Sequence, residues 1–235
     1  MRHLVISGAF LAAADVLYWA LHRWPRHWLP LLLTDHLKLG HALILGLLAS
    51  AGTQAEDYRI LGSPDAPVEM AIYSDFECPY CRNFALAAVP AIVAEFVHPG
   101  LVRLRYVYFP LPALHKNAVA AAKAAHCAGL AGRFWAFHDY LYVRQPEWSG
   151  EAVSDSIWIA YAGNLGLEQD AFVTCLNSEE TNAVVEADLR EALSSGATGT
   201  PTIVLNGRSI AGFSTYEGLR GEIISAIEAT RTSDN

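Results

Sequence analysis

The chain, 235 residues long, predicts an α/β fold in which an all-helical block is inserted between two sheet-bearing halves. Three observations carry that prediction. The apolar run Val68 to Tyr73 leads into Cys78-Pro79-Tyr80-Cys81 and then a long helical pattern. From His115 to about Ser195 no strand signal interrupts a helical pattern. The chain then returns to strands, with Thr202 to Leu205 and Ser209 to Ala211 flanking Asn206-Gly207, the strongest short hairpin signal.

Residues 1–55 differ in kind from the rest. Leu4 to Leu21 is apolar apart from Ser7, Gly8 and Asp15, long enough for a marginal membrane span. Leu39 to Ala51 is a shorter apolar run; with Lys38 before it and Thr53-Gln54-Ala55 after it, it reads as a signal peptide with a small-residue cleavage site. The segment His22 to Pro30, crowded with Trp, His, Arg and Pro, fits neither a span nor a folded domain. One reading starts translation at Leu37 and makes residues 1–36 an artefact of the start-site assignment; the other keeps the segment as an uncleaved membrane anchor. Both put the remainder outside the cytoplasm, in the periplasm or an equivalent compartment.

Beyond the leader, Ala66 to Tyr73 is the first strand and Arg82 to Val97 a helix interrupted near Pro90, whose ring removes a helical hydrogen bond. Leu101 to Phe109, rich in β-branched and aromatic residues, is the next strand. The helical block contains an Ala-rich run (Ala118 to Ala131), an aromatic run (Phe134 to Tyr142), Asp155 to Ala162, and segments after Leu167 and Thr181. After the hairpin, Tyr216 to Thr230 closes the chain as a helix. The expected organisation is a split domain of residues 56–112 and 196–235 enclosing a helical insertion of residues 113–195. The aromatics Phe134, Trp135, Phe137 and Tyr140 are expected in the core of that insertion rather than in a groove.

The chemistry is concentrated at Cys78 and Cys81. Thiols at i and i+3 share one helix face, and Pro79 falls where its missing N–H costs nothing. Free N–H groups and the positive end of the helix dipole favour a thiolate at Cys78. Lowering such a thiol from about 8.5 to about 5.5 would favour the reduced form by roughly 4 kcal/mol. The same CxxC spacing also supplies half of a tetrahedral zinc site, but the other cysteines, Cys127 and Cys175, are far apart and no pair of histidines has ligand spacing. Strand, CxxC, helix is the order of thioredoxin-like redox motifs. A second signal is Thr200-Pro201 at the start of a strand, where proline is tolerated. Its peptide bond is either cis or an ordinary trans bond ending the loop.

These residues resemble the DsbA-like branch of the thioredoxin superfamily, in the bacterial group with a helical insertion. The resemblance runs from about Pro64 to Ile227. It covers Tyr73-Ser74-Asp75-Phe76-Glu77-Cys78-Pro79-Tyr80-Cys81; Phe109-Pro110-Leu111 with His115 and Asn117; Ala125-His126-Cys127-Ala128; Arg133-Phe134-Trp135 with His138-Asp139; Leu165-Gly166-Leu167; Phe172 with Cys175-Leu176; and Gly199-Thr200-Pro201-Thr202 with Asn206-Gly207. It implies a thioredoxin fold, a cis bond before Pro201, and a groove at Thr200 and Pro201 that binds an extended substrate chain. It also implies a structural disulfide between Cys127 and Cys175, against the alternative of two buried free thiols. Such a disulfide would enclose 47 residues and contribute on the order of 4 kcal/mol by the chain-entropy account.

The expected activity is therefore that of an extracytoplasmic dithiol oxidase. Cys78 is the exposed attacked sulfur and Cys81 its partner, with Pro79 and Tyr80 between them. Asp75 and Glu77 are candidate proton acceptors, of which at most one is expected to be buried, with Glu77 the better candidate for a solvated carboxylate. His115, His126 and His138 receive no catalytic role. No metal or organic cofactor is required; the implied partners are reduced exported proteins and a quinone-linked membrane reoxidant like DsbB. Residues 56–235 carry 12 Lys and Arg against 22 Asp and Glu, which excludes a nucleic-acid surface. Isomerase or reductase activity is the nearest alternative. Isomerases of this superfamily carry an N-terminal dimerisation module, whereas only ten residues separate Ala55 from the strand at Ala66, so a monomer is expected. A redox-inert binding or chaperone module is the more distant alternative.

Overall fold

A computed structural model describes residues 57–212 and 214–233; the signal-peptide and anchor readings lie outside the described residues. In chain order the elements are β1 (Ile60–Leu61), β2 (Val68–Ser74), α1 (Pro79–Ala87), α2 (Val89–Ile92), a π-helical turn (Val93–Val97) and β3 (Val102–Tyr108). Six helices follow: α3 (Ala118–Leu130), α4 (Phe134–Val143), α5 (Gln145–Trp148), α6 (Ser156–Asn164), α7 (Gln169–Leu176) and α8 (Glu179–Ser194). The hairpin β4 (Thr202–Leu205) and β5 (Arg208–Ala211) and the helix α9 (Tyr216–Ser233) complete the chain. This is the expected thioredoxin fold with its helical insertion between β3 and β4.

The sheet order is β1-β3-β2-β4-β5. β2 and β3 are parallel, so they need a crossover, which α1, α2 and the π-turn supply. The helical path breaks at Ala88 because Pro90 lacks the N–H that would close the next bond. β4 runs antiparallel to β2, with Thr202 opposite Tyr73. That register brings the residues following β2 beside those preceding β4, which is how Cys78 and Thr200 come to share one end of the sheet. Asn206 and Gly207 both take positive φ, 45° and 81°, the backbone a two-residue hairpin turn requires. The β1 edge strand, which sequence periodicity does not mark, has only two residues and pairs antiparallel with β3.

In β2 and β3 alike, burial alternates along the first half and becomes continuous over the last three residues. Val68, Met70, Ile72, Val102 and Leu104 face Phe84, Ile92, Phe96 and Ile223. Further along the same face of β3, Tyr106 and Tyr108 join Phe76, Phe134, Phe137 and Leu141 in a core shared with the insertion. Trp135 and Tyr140 are partly buried against it. The opposite face is dry at this end because α8 lies on it, with Ala192 packed against Tyr73 and Val107. α8 is also fixed by polar contacts: Asp188 accepts the Tyr108 N–H at 2.9 Å and pairs with Arg59, while Glu191 accepts from the Tyr73 hydroxyl at 3.1 Å and pairs with Arg105. Cys127 of α3 and Cys175 of α7 are joined as a disulfide, Cα to Cα 5.7 Å.

Candidate active site around Cys78 and Cys81

β2 ends at Ser74, three residues bridge to Cys78, and Cys78 forms the N-cap of α1 with φ −68° and ψ 124°. Pro79 occupies the first turn, so the chain turns into a helix without stranding a donor. Both thiols are free in this structure. Cys81 is fully buried, and Cys78 is 4 % exposed. The expectation of an exposed Cys78 is corrected here: the loop before β4 folds over the sulfur, which lies 3.5 Å from the Thr200 carbonyl oxygen. Tyr80, between the two thiols, is 71 % exposed at the rim.

The two sulfurs have opposite proton affinities. Cys78 is brought down to about 6. The hydrogen bond from the Cys81 thiol is the main cause; burial opposes it, and the Thr200 hydroxyl and the N–H groups of Cys81 and Tyr80 add to it. The Thr200 hydroxyl is buried and has no hydrogen-bond partner at ordinary distance, so its pull on the Cys78 sulfur is exerted from beyond that range. Burial pushes Cys81 well above the ordinary thiol range, and the neighbouring Cys78 sulfur pushes it further. One helical turn thus separates a sulfur that ionises readily from one that holds its proton.

The segment entering the helix is braced from the insertion. The Gln145 side-chain amide donates to the carbonyl oxygens of Phe76 at 2.7 Å and Cys78 at 3.1 Å, and the Arg82 guanidinium donates to the Tyr142 carbonyl at 2.9 Å. Asp75 and Glu77 are 1 % and 3 % exposed; the expectation that at most one is buried is corrected. Their oxygens are occupied by donors that make burial tolerable. Asp75 accepts the N–H groups of Glu77 and Leu111, each at 2.8 Å, and lies 2.7 Å from His115 Nδ1. Burial raises the Asp75 carboxyl against those bonds. Glu77 accepts the N–H groups of Asn117 at 2.6 Å and Gly150 at 2.7 Å, with the Asn117 side-chain amide at 3.3 Å. His126 lies against Tyr58, and His138 lies 2.8 Å from Asp139, so neither points to the thiols as a base.

Sequence reasoning passed over three residues at this site: Ser74, Tyr142 and Gln145. Ser74 stands in the quoted motif but has no signature of its own, and the other two lie in helices whose orientation toward the thiols no local pattern reveals. Among the described residues no group of three or more His, Cys, Asp or Glu is arranged to hold a metal ion.

A model of the Thioredoxin family matches residues 54–225. The chain belongs to the thioredoxin family. Within it, the chain falls in the DsbA-like group. It is 30 % identical over 151 residues to the probable disulfide bond formation protein D of Bacillus anthracis, covering 63 % of this chain and 69 % of that protein. The crystal structure of oxidised BdbD from Bacillus subtilis superposes with a TM-score of 0.66 at 26 % identity, covering 72 % of this chain and 92 % of that one. The chain is also 35 % identical over 175 residues to the Na(+)/H(+) antiporter NhaA 1 of Salinispora arenicola, over 74 % of this chain but 25 % of that protein. It therefore spans about a quarter of the length of that antiporter relative.

Proposed function

We propose that this thioredoxin-family protein is an extracytoplasmic thiol:disulfide oxidoreductase that introduces disulfides into exported proteins through Cys78 and Cys81. The observation that carries this reading is the opposed proton affinity of the two sulfurs, Cys78 near 6 and Cys81 far above the thiol range. A low-affinity sulfur is a good leaving group and a stable thiolate, so the oxidised pair gives its disulfide away and is left comfortably reduced. In the first step a substrate thiolate forms a bond to the Cys78 sulfur, the Cys78–Cys81 bond breaks, and Cys81 departs with the electron pair and takes up a proton. A second substrate thiolate then attacks the substrate sulfur of the mixed disulfide and Cys78 leaves as thiolate. The substrate dithiol is oxidised and the enzyme disulfide reduced.

Thr200 and Pro201, beside the Cys78 sulfur, are proposed to align the substrate strand, with Tyr80 at the rim. Turnover requires a disulfide-bearing reoxidant, for which a quinone-linked membrane protein is proposed. The segment before Glu56 would deliver the domain across the membrane or tether it there, and alkaline extraction of membranes separates those two cases. The activity is tested by mixing the oxidised protein with a reduced, unfolded dithiol protein. Cys78→Ser should abolish substrate oxidation, and equilibration with glutathione should give a potential above about −200 mV. A potential below about −300 mV would instead favour a redox-inert structural disulfide.

A further inference from the structure

We propose that Gln145 is a positioning residue for disulfide exchange, its side-chain amide setting the direction in which the Cys78 sulfur leaves the backbone. The proposal rests on Cys78 and Cys81 being the exchange pair and names the group in the helical insertion that aims the attacked sulfur.

Gln145 is the first residue of α5, and it is buried. Its amide nitrogen carries two hydrogens, and two carbonyl oxygens stand within reach, Phe76 at 2.7 Å and Cys78 at 3.1 Å. Both neighbours are acceptors, so only the NH2 end of the side chain fits between them, and both of its hydrogens are used. The two carbonyls precede and follow the Cys78 Cα along the chain. The direction of the Cys78 carbonyl is its torsion ψ, 124° here, the extended value of an N-cap residue. On the other side of the same Cα, the Cys78 N–H donates to the Asp75 carbonyl at 3.2 Å. With both flanking peptide units held, the Cα–Cβ bond has one direction left. It places the sulfur 3.5 Å from the Thr200 carbonyl oxygen, at the open first turn of α1.

The grip reaches beyond Cys78. Three residues before Gln145, the Tyr142 hydroxyl lies 2.9 Å from Ser74 Oγ at the end of β2, and the Tyr142 carbonyl accepts from the Arg82 guanidinium of α1 at 2.9 Å. The corner between α4 and α5 thus touches the strand end, the redox turn and the helix start. Aim matters here because the leading groups that lower Cys78 are dipoles: the Cys81 thiol, the Thr200 hydroxyl and the N–H groups of Cys81 and Tyr80. The charged side chains around the turn are engaged elsewhere, Arg82 with the Tyr142 carbonyl, Asp75 with His115 and two N–H groups, and Glu77 with Asn117 and Gly150. Help from a helix start fades within its first turn. A sulfur that swings away therefore loses support that a neighbouring cation would have kept.

The test is Gln145→Leu, which keeps most of the bulk and removes both donors. The Cys78 alkylation midpoint should rise by about one pH unit from its value near 6. At pH 7 the equilibrium with glutathione should then move about fivefold toward the protein disulfide, because a less stable thiolate favours the reduced form less. Gln145→Asn, whose amide is one methylene too short to span both carbonyls, should shift both readouts the same way by a smaller factor, and it decides the matter if Gln145→Leu does not fold. Cys127→Ala combined with Cys175→Ala, which loosens the insertion away from the thiols, should leave both readouts at the parental values. A folded Gln145 variant with a lower melting temperature but the parental midpoint and equilibrium overturns the proposal. So does an equal shift in the cysteine double variant, which would trace the effect to general loosening. Turnover retained in Cys78→Ser would instead refute the oxidase reading, an outcome the comparison of midpoints does not share.

Discussion

The N–H of Asn117 donates to the Glu77 carboxylate across 2.6 Å, in the buried interior and one residue from Cys78. Asn117 then fans out: its amide nitrogen reaches the carbonyls of Trp148 at 2.8 Å and Glu151 at 2.9 Å, and its amide oxygen accepts the Val153 N–H at 3.0 Å. A carboxylate that sequence logic offers as a proton acceptor is thus the anchor between the redox segment and the loop after α5.

Replacing that anchor should be costly. Glu77→Ala strands the buried N–H of Asn117, a donor whose loss of a partner costs about 1–3 kcal/mol, and also removes the acceptor of the exposed Gly150 N–H. The melting temperature should fall by several degrees. Glu151→Gln, which breaks only the exposed pair with Lys116, should leave it unchanged. Equal melting temperatures for the two variants would refute the bracing role.

Alkylation should separate the two thiols. Cys78 should react with iodoacetamide along a profile with a midpoint near pH 6, while Cys81 stays unmodified until strongly alkaline pH, being fully buried and raised well above the thiol range. Peptide mapping that finds Cys81 labelled first reverses the assigned roles.

Stability of the reduced protein should depend on pH in a stated direction. The folded-state value of Cys78, about 6, lies below the unfolded thiol's value of about 8.5. The stabilisation it contributes is complete above about pH 8.5 and is lost as pH falls through about 6. Cys81, raised in the folded state, acts oppositely, and its penalty grows only above about pH 8.5. Between pH 6 and 8.5 the reduced form should therefore gain melting temperature relative to the oxidised form, in which neither sulfur titrates. A difference constant across that range would contradict the low value for Cys78.

The Cys127–Cys175 bond closes a chain separation of 48 residues, for which the chain-entropy account gives on the order of 4 kcal/mol. Cys127→Ala combined with Cys175→Ala should lower the denaturant midpoint yet leave substantial dithiol oxidation. A variant that is as stable as the parent, or folded but inactive, would contradict the separation of staple from chemistry.

The order of strands and helices was legible because each element carries its own pattern. The Val68 strand alternates, Pro90 marks the break, and Asn206-Gly207 marks the turn between β4 and β5. The thiol pair was legible too, since CxxC at a helix start is local. What was hidden is how the thiols are surrounded. That Glu77 is buried follows from Asn117 and Gly150, 40 and 73 positions away, and that Cys78 is covered follows from the antiparallel register of β4 on β2. Tyr142 and Gln145 matter through helix placement, which periodicity does not encode.

The register of β4 on β2 also sets a clock. Cys78 and the Thr200 carbonyl that covers it are 122 positions apart, so both thiols are made long before the loop that finishes their environment. A chain still being synthesised or exported carries the two cysteines with neither the Thr200 hydroxyl beside Cys78 nor the hairpin that docks it. Its reactivity is assembled only after Thr200 and the hairpin have been made, which limits the time in which a fully primed sulfur could be captured by cysteines made earlier in the nascent chain.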